Sequence, residues 1–356
     1  MAQSVPKTTQ QWSVAEATGF DGLKLSEVNL PEVGDSQCLV KIQGASLNAN
    51  VSQYRDLVIA KGTYSLPKKE GVIPGSDGAG TIVAVGKNVT RFKPGDKVVT
   101  LFNQQHIGGP LDMNAFTSGL GGAIDGTLRS YAAFNEQGLV TLPKSLNFLE
   151  GSTLTCAGLT AWNALFGLEG KKLVPGQWVL TQGTGGVSIF AVQFAKAAGA
   201  KVIATTSSDE KAKLLKDLGA DHIINYSENK EWGKKAKELA DGLGVHHILE
   251  VAGPASMAQS LEAVRLDGVI SIIGFVGGFD TPQPGFLECL QKQCTTRGIL
   301  VGSRAMMEDM CAAIDANPEK LKPIVDSKVF KLDQLKEAME YQWSGKHQGK
   351  VCIEVN

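Results

Sequence analysis

From residue 178 onward the apolar positions follow two alternating rhythms. Trp178–Thr181 is a short apolar run that stops at glycines. Val187–Ala198 follows with apolar residues in two adjacent stripes, Val187, Ala191, Ala195 and Phe190, Phe194, Ala198. The first rhythm predicts a buried strand, and the second predicts a helix buried over a wide face and closed by Gly199. The alternation continues with strands at Lys201–Thr206, His222–Tyr226, His247–Val251 and Val269–Gly274, and a last β-rich run at Thr296–Gly302. Helical patterns fill the intervals near 209–218, 231–240 and 256–265. Six strands alternating with helices predict a doubly wound parallel sheet. Residues 1 to about 150 read differently. Short β-rich segments (Leu39–Gln43, Gly80–Val85, Lys97–Leu101, Tyr131–Phe134) are punctuated by glycine and proline, which predicts a twisted β-barrel-like unit. Helices near 306–316 and 332–342 and a strand at Val351–Val355 follow the sheet, and that strand is expected to return to the N-terminal unit.

The length of 356 residues suits two domains. Lysine plus arginine (35) balances aspartate plus glutamate (36), so no basic field exists for nucleic acid or an anionic membrane. Forty-one glycines without a Gly-X-Y repeat imply many tight turns or close backbone approaches to a ligand. None of the six cysteines forms a C-x-x-C pair, which argues against a disulfide scaffold and a cysteine-clamped zinc lobe. The N-terminal stretch has no apolar h-region, and the uncharged run Leu173–Ala195 is broken by proline and glycines. A cytoplasmic protein that neither spans nor coats a membrane is expected.

The first chemical motif is Gly183-Thr184-Gly185-Gly186-Val187-Ser188, directly after a strand and opening a helix. In that context it predicts a pyrophosphate site, because glycines let backbone N–H groups approach and the helix N-terminus supplies partial positive charge. Ser188 stands where the third glycine would be. About twenty residues on, an NAD site would carry an acid for the ribose 2′-hydroxyl. Here Thr205-Thr206-Ser207-Ser208 precedes Asp209-Glu210-Lys211, so hydroxyls and a lysine favour a 2′-phosphate and NADP(H). Ser207 and Glu210 also have the spacing of a capping box.

The stretch Gly75-Ser76-Asp77-Gly78-Ala79-Gly80, continuing through Val85-Gly86, Val89 and Gly95-Asp96-Lys97-Val98, resembles the signature of the medium-chain dehydrogenase/reductase superfamily. Cys156-Ala157-Gly158-Leu159-Thr160-Ala161-Trp162, Leu218-Gly219-Ala220-Asp221 and Gly349-Lys350-Val351 extend the resemblance almost end to end. It implies an α/β fold. A GroES-like β-barrel catalytic domain would cover 1–150 and be completed by 304–356, and a six-stranded Rossmann dinucleotide-binding domain would cover 151–303. The substrate cleft would lie where they meet. By the same resemblance, Gly183, Thr184, Gly185, Gly186 and Val187 would cradle the pyrophosphate. Ser207, Lys211 and Tyr226 would surround the 2′-phosphate, and Thr160 would face the nicotinamide. Gly274, Phe275, Val301 and Ser303 would line the cofactor's far side, and Lys350 would reach a phosphate.

The departures bear on the chemistry. Where zinc alcohol dehydrogenases open the signature with G-H-E, this chain has Ser76 and Asp77. Ser46–Asp56, where the first cysteine ligand would fall, holds neither cysteine nor histidine, and residues 90–125 hold no cysteine for a structural zinc lobe. Cys156 alone cannot hold a tetrahedral ion, and His106 reads as a loop residue. The pattern is similar to zinc-free quinone oxidoreductases and zinc-independent alcohol dehydrogenase-like proteins. Without a Lewis acid, hydrogen bonds must polarise the substrate oxygen, and Asn48, Gln53, Tyr54 and Ser76 are the candidates. Three readings stand: a zinc-independent NADPH-dependent reductase of quinones, enones or activated carbonyls; a zinc-type alcohol dehydrogenase with an atypical site; and a non-catalytic NADP-binding protein. The apolar run Gly298-Ile299-Leu300-Val301 would leave an exposed sheet edge, so a homodimer is expected.

Overall fold

The structure is a computed structural model and describes residues 5–48, 59–62, 68–278 and 282–355. Strands β1 (Thr8–Val14) and β2 (Leu23–Asn29) pair antiparallel. Next come β3 (Gln37–Ser46), β4 (Asp77–Val85), β5 (Lys97–Thr100), β6 (Tyr131–Asn135) and β7 (Leu139–Thr141). The middle of the chain supplies β8 (Trp178–Gln182), β9 (Lys201–Thr206), β10 (His222–Asn225), β11 (Val245–Glu250), β12 (Val264–Ile272) and β13 (Thr295–Gly298). Short β14 (Phe330–Lys331) and β15 (Cys352–Glu354) follow.

The six middle strands form one sheet in the order β10-β9-β8-β11-β12-β13, every pair parallel. The chain starts at β8, winds out to β10, then crosses back to β11, so the strand order reverses between β8 and β11. In open α/β sheets ligands bind at the carboxyl ends of the strands flanking that reversal. All five residues of β8 are buried, as a central strand covered on both faces requires. Helix Gly186–Ala197 is buried continuously from Val187 to Ala195, which explains its double apolar stripe.

Seven of the remaining strands build a second sheet, β14-β15-β3-β4-β5-β7 with β6 on β3, and β1 and β2 stand as a separate pair. As expected, the C-terminal strand returns to this unit: Cys352 pairs with Ser46 and Ile353 with Ala45. Trp12 adds a tie from β1, its indole N–H donating to Leu332 O at 2.7 Å. The two units share a core in which Ala79, Val99 and Leu101 pack with Val187, Phe190, Met307 and Met310. Each such fully buried large side chain contributes about 1.5–3 kcal/mol.

Two local expectations are corrected. The final sheet strand stops at Gly298 rather than Gly302. Val301 turns into the left-handed region at φ 52 and is buried, its carbonyl accepting from Asn163 Nδ2 at 2.7 Å. The apolar run therefore folds inward, and the exposed edge is Thr295–Gly298. Helix Asp209–Asp217 is capped by Ser208, whose side chain accepts from Lys211 N, and not by Ser207.

Candidate active site

The glycine turn lies at the carboxyl end of β8, on the strand-order reversal. Gly183 has φ +72, a conformation that only glycine adopts without strain, and its N–H donates to Thr205 O at 2.8 Å. Helix Gly186–Ala197 has no side-chain cap, so the N–H groups of its first turn are open to an anion. Ser188, in the third-glycine position, donates its hydroxyl to Gln182 O at 2.7 Å and fastens the helix start to β8. These elements open onto a cavity of about 450 Å³, lined by Gly183, Thr184, Gly185, Gly186 and Val187 together with Thr205, Lys211 and Tyr226. The glycine turn, uncapped helix and cavity together fit a pyridine dinucleotide.

The far wall was not legible in the sequence. Val251, Ala252, Ala255, Ser256, Val276 and Gly277 line it, where Gly274 and Phe275 were expected. Buried Glu250, at the end of β11, braces that wall. It accepts from Ala252 N, Gly253 N, Ser256 Oγ, Ser260 Oγ and Gln182 Nε2, while Gln182 Oε1 accepts from Val251 N and Ala252 N. The carboxyl-end rule for β11 was the signal that would have found this wall. Ser207 is exposed outside the cavity lining. Thr160 and Val301 are buried and are not on its lining, and Ser303 caps helix Arg304–Ala316 by accepting from Met306 N.

Next to the cavity, a water-sized void of about 10 Å³ is lined by Asn48, Ala157, Gly186, Val187, His347 and Lys350, among others. It shares Gly186, Val187 and His347 with the larger cavity. Here Lys350 departs from its expected role. Its Nζ donates to Leu47 O and Asn48 Oδ1, each at 2.6 Å, and pairs with Asp77 Oδ2 at 3.4 Å. An ammonium has three N–H donors, so none is left for a phosphate. Its stem packs against the turn: a Cβ on Gly186 would lie 2.9 Å from Lys350 Cδ.

Two of the candidate residues, Asn48 and Ser76, lie together, with Asn48 Nδ2 donating to Ser76 Oγ at 3.1 Å. Ser76 Oγ donates to Asp77 Oδ1 at 2.8 Å, and Ser46 Oγ to Asp77 Oδ2 at 2.9 Å. Ser46, Asn48, Ser76, Asp77 and Lys350 are all buried. Gln53 and Tyr54 lie outside the described residues. His347 borders both spaces; burial holds its imidazolium below the ordinary histidine range, Asp326 pulls it back up, and Lys211 and Lys350 press it down again.

This donor set does not suit zinc. Asp77 is committed to two hydroxyls and an ammonium, which repels a cation, and Ser76 is a poor ligand for a site of three protein ligands. Cys156 is buried in a single π-helical turn, Leu154–Gly158. Among the described residues no group of three or more His, Cys, Asp or Glu side chains is arranged to hold a metal. His106 anchors its loop through Gly109 O at 3.0 Å. Among the described residues no helix is long and apolar enough to cross a membrane.

Comparison with known proteins agrees with this architecture. Residues 34–144 match the alcohol dehydrogenase GroES-like domain and residues 186–316 the zinc-binding dehydrogenase domain. The chain is 46% identical to a zinc-type alcohol dehydrogenase-like protein of Schizosaccharomyces pombe, over 96% of this chain and 97% of that protein. It is 32% identical to a 2-methylene-furan-3-one reductase of Solanum lycopersicum, over 98% of this chain and 80% of that protein. The crystal structure of a candidate alcohol dehydrogenase of Sinorhizobium meliloti 1021 superposes with a TM-score of 0.88 at 40% identity, covering 98% of this chain and 99% of that one. With a GroES-like unit, a parallel Rossmann-like sheet and relatives matched along nearly its whole length, the chain belongs to the medium-chain dehydrogenase/reductase superfamily, as an alcohol dehydrogenase-like oxidoreductase.

Proposed function

We propose that this protein is a zinc-independent, NADP(H)-dependent reductase of quinones, enones or other activated carbonyls, with alcohol oxidation as the reverse reaction. The observation that carries this reading is the buried Lys350–Asn48–Ser76–Asp77 network, which occupies the signature position where zinc relatives present ligands. When bound, the nicotinamide supplies or accepts hydride. The chain's own residues handle the oxygen. Lys350 pulls electron density from the Asn48 carbonyl, which makes the Asn48 amide N–H groups stronger donors. Asn48 is the donor that takes up charge developing on the substrate oxygen, while Ser76, whose one proton is given to Asp77, holds the Asn48 amide in place. Asp77 neutralises Lys350 and orients Ser76.

NADP(H) is favoured over NAD(H) because no carboxylate is among the described residues lining the cavity, while Lys211 and Tyr226 are. A 2′-phosphate would meet cationic and hydroxyl donors there, without the acid that reads a ribose 2′-hydroxyl. The decisive experiment combines elemental analysis of protein purified without chelator with turnover on a panel of quinones, enones and aldehydes. We expect less than stoichiometric zinc and NADPH-dependent activity that survives a strong chelator. One zinc per chain, with activity lost on chelation, would establish the zinc-type reading that the name of the Schizosaccharomyces pombe relative carries. Cofactor binding without turnover across the panel would establish a non-catalytic role.

A homodimer in the cytoplasm completes the reading. Helix Leu287–Lys292 touches edge strand β13 through Cys289 Sγ and Thr296 Oγ1, and Leu287 and Leu290 on it and Phe286 just before it are 73%, 64% and 96% exposed. An unpaired edge next to such apolar surface favours pairing with a second copy. The six free cysteines suit a reducing compartment. Light scattering at micromolar concentration tests the dimer, and a monomer mass overturns it.

A further inference from the structure

A second groove, of about 690 Å³, lies on the β-rich unit and shares no lining residue with the cofactor-sized cavity. Its volume is in the range of small-molecule sites, roughly 300–1,000 Å³. Its wall includes Arg129, Gln37, Asn135 and Gln137, with Asp125 and Glu32 also on the lining.

Arg129 is the unusual member. It is 9% exposed, and its Nε is buried without a hydrogen-bond partner. Among the described residues no carboxylate forms an ion pair with its guanidinium, and its nearest aromatic contact is the Phe134 ring, 6.0 Å from Cζ. Burial lowers its pKa to about 10, partly offset by Asp125, so it remains cationic at neutral pH. A buried charge without a partner is costly, and proteins normally pair it. Asp125 does not fill that role: its Oδ2 is held by Lys69 at 2.6 Å and its Oδ1 accepts from Ile73 N. Glu32 is exposed at the rim.

Three of the neighbouring amides are turned the same way, whereas Gln104 is reversed, its Nε2 donating to Leu101 O and Gly138 O. Gln37 Oε1 accepts from Gly34 N at 2.9 Å, Asn135 Oδ1 from Gln137 N at 2.9 Å, and Gln137 Oε1 from Arg304 Nη1. With each oxygen fixed to protein, the NH₂ end of each amide remains to donate. The groove therefore offers planar donors around one uncompensated positive charge.

We propose that this groove binds a small organic monocarboxylate, whose carboxylate sits on Arg129 and accepts from the Asn135 and Gln137 amides. A planar guanidinium matches the two oxygens of a carboxylate, and a single free cation balances one negative charge rather than the two of a phosphate.

The test uses the whole 356-residue chain with benzoate, its neutral isostere benzamide, and inorganic phosphate, read by ligand-observed NMR and thermal shift. Benzoate is expected to bind and to raise the melting temperature, with benzamide and phosphate each at least about tenfold weaker. Arg129→Gln is expected to weaken benzoate by about tenfold or more while leaving NADPH affinity unchanged. If that variant does not fold, Asn135→Ala serves in its place, with an expected loss of about threefold. Absence of benzoate binding, equal binding by Arg129→Gln, or unchanged binding by Asn135→Ala overturns the site. Benzamide binding as tightly as benzoate overturns the role of charge, and tighter phosphate binding overturns the carboxylate assignment.

Discussion

Lys350 and Asp77 form the only ion pair among the described residues in which both side chains are less than a tenth exposed, at 6% and 0%. Removing one partner of such a pair strands the other as a buried charge, whereas removing both charges is far less costly. Lys350→Met is therefore expected to destabilise the fold by about 3–5 kcal/mol in urea unfolding. Adding Asp77→Asn to that variant is expected to restore most of the loss. A double variant as unstable as the single one would show that Lys350 stabilises through packing against Gly186 rather than through charge.

If Asn48 polarises the substrate oxygen, its loss is felt in turnover and not in cofactor binding. Asn48→Leu is expected to lower kcat by two to three orders of magnitude, the roughly 2.7–4 kcal/mol of one oxyanion donor, with NADPH affinity intact. Ser76→Ala is expected to have a smaller effect in the same direction. Near-normal turnover in both variants would move the oxygen's donor to the segment holding Gln53 and Tyr54.

Lys211 lines the cavity near Gly345, whose carbonyl accepts from its Nζ at 3.4 Å. Lys211→Ala is expected to weaken NADPH by about 1–3 kcal/mol and to leave NADH nearly unchanged, because only the former carries the phosphate. Parallel titrations of the two cofactors decide this. Equal losses would mean that Lys211 shapes the wall without reading the phosphate.

His247, on β11, gives the protein an acid limit. Burial lowers its pKa from 6.5 to about 4, with His246, Arg297 and Lys171 adding to the shift. The unfolded chain binds the proton more readily, so this contribution is complete above pH 6.5 and is lost as pH falls towards 4. The shift corresponds to roughly 3 kcal/mol between those limits. His247→Asn is expected to be less stable at pH 7.5 but to lose less on acidification. Parallel pH profiles of wild type and variant would exclude His247 as the source.

The elements were legible because periodicity reports burial. Strand Lys201–Thr206 has its expected bounds, and the glycine turn stands where strand and helix context put it. Buried polar chemistry was less legible, because the partner of a polar residue is set by packing between units distant in sequence. In sequence the resemblance aims Lys350 at a phosphate, and only the return of the C-terminal strand to β3 turns it towards Asn48. Glu250 reads as the end of an apolar strand, and its bracing of the cavity wall depends on Gln182 in the neighbouring strand. Ser207 and Ser208 are adjacent hydroxyls, and helix geometry alone selects Ser208 as the cap.

The return of β15 to β3 also sets an order in time. Lys350 reaches Asn48 across 302 residues of chain, so the proposed catalytic network is not finished until the C-terminal strand has docked. During synthesis the whole Rossmann sheet, built from contacts closer in sequence, emerges and can fold first. The β-rich unit must wait with the Gly44–Ser46 end of β3 unpaired beyond β6, a short transiently exposed edge of the kind that recruits other chains. A bound dinucleotide would steady the Rossmann half during that interval, making cofactor supply an influence on how much of the newly made protein reaches its native state.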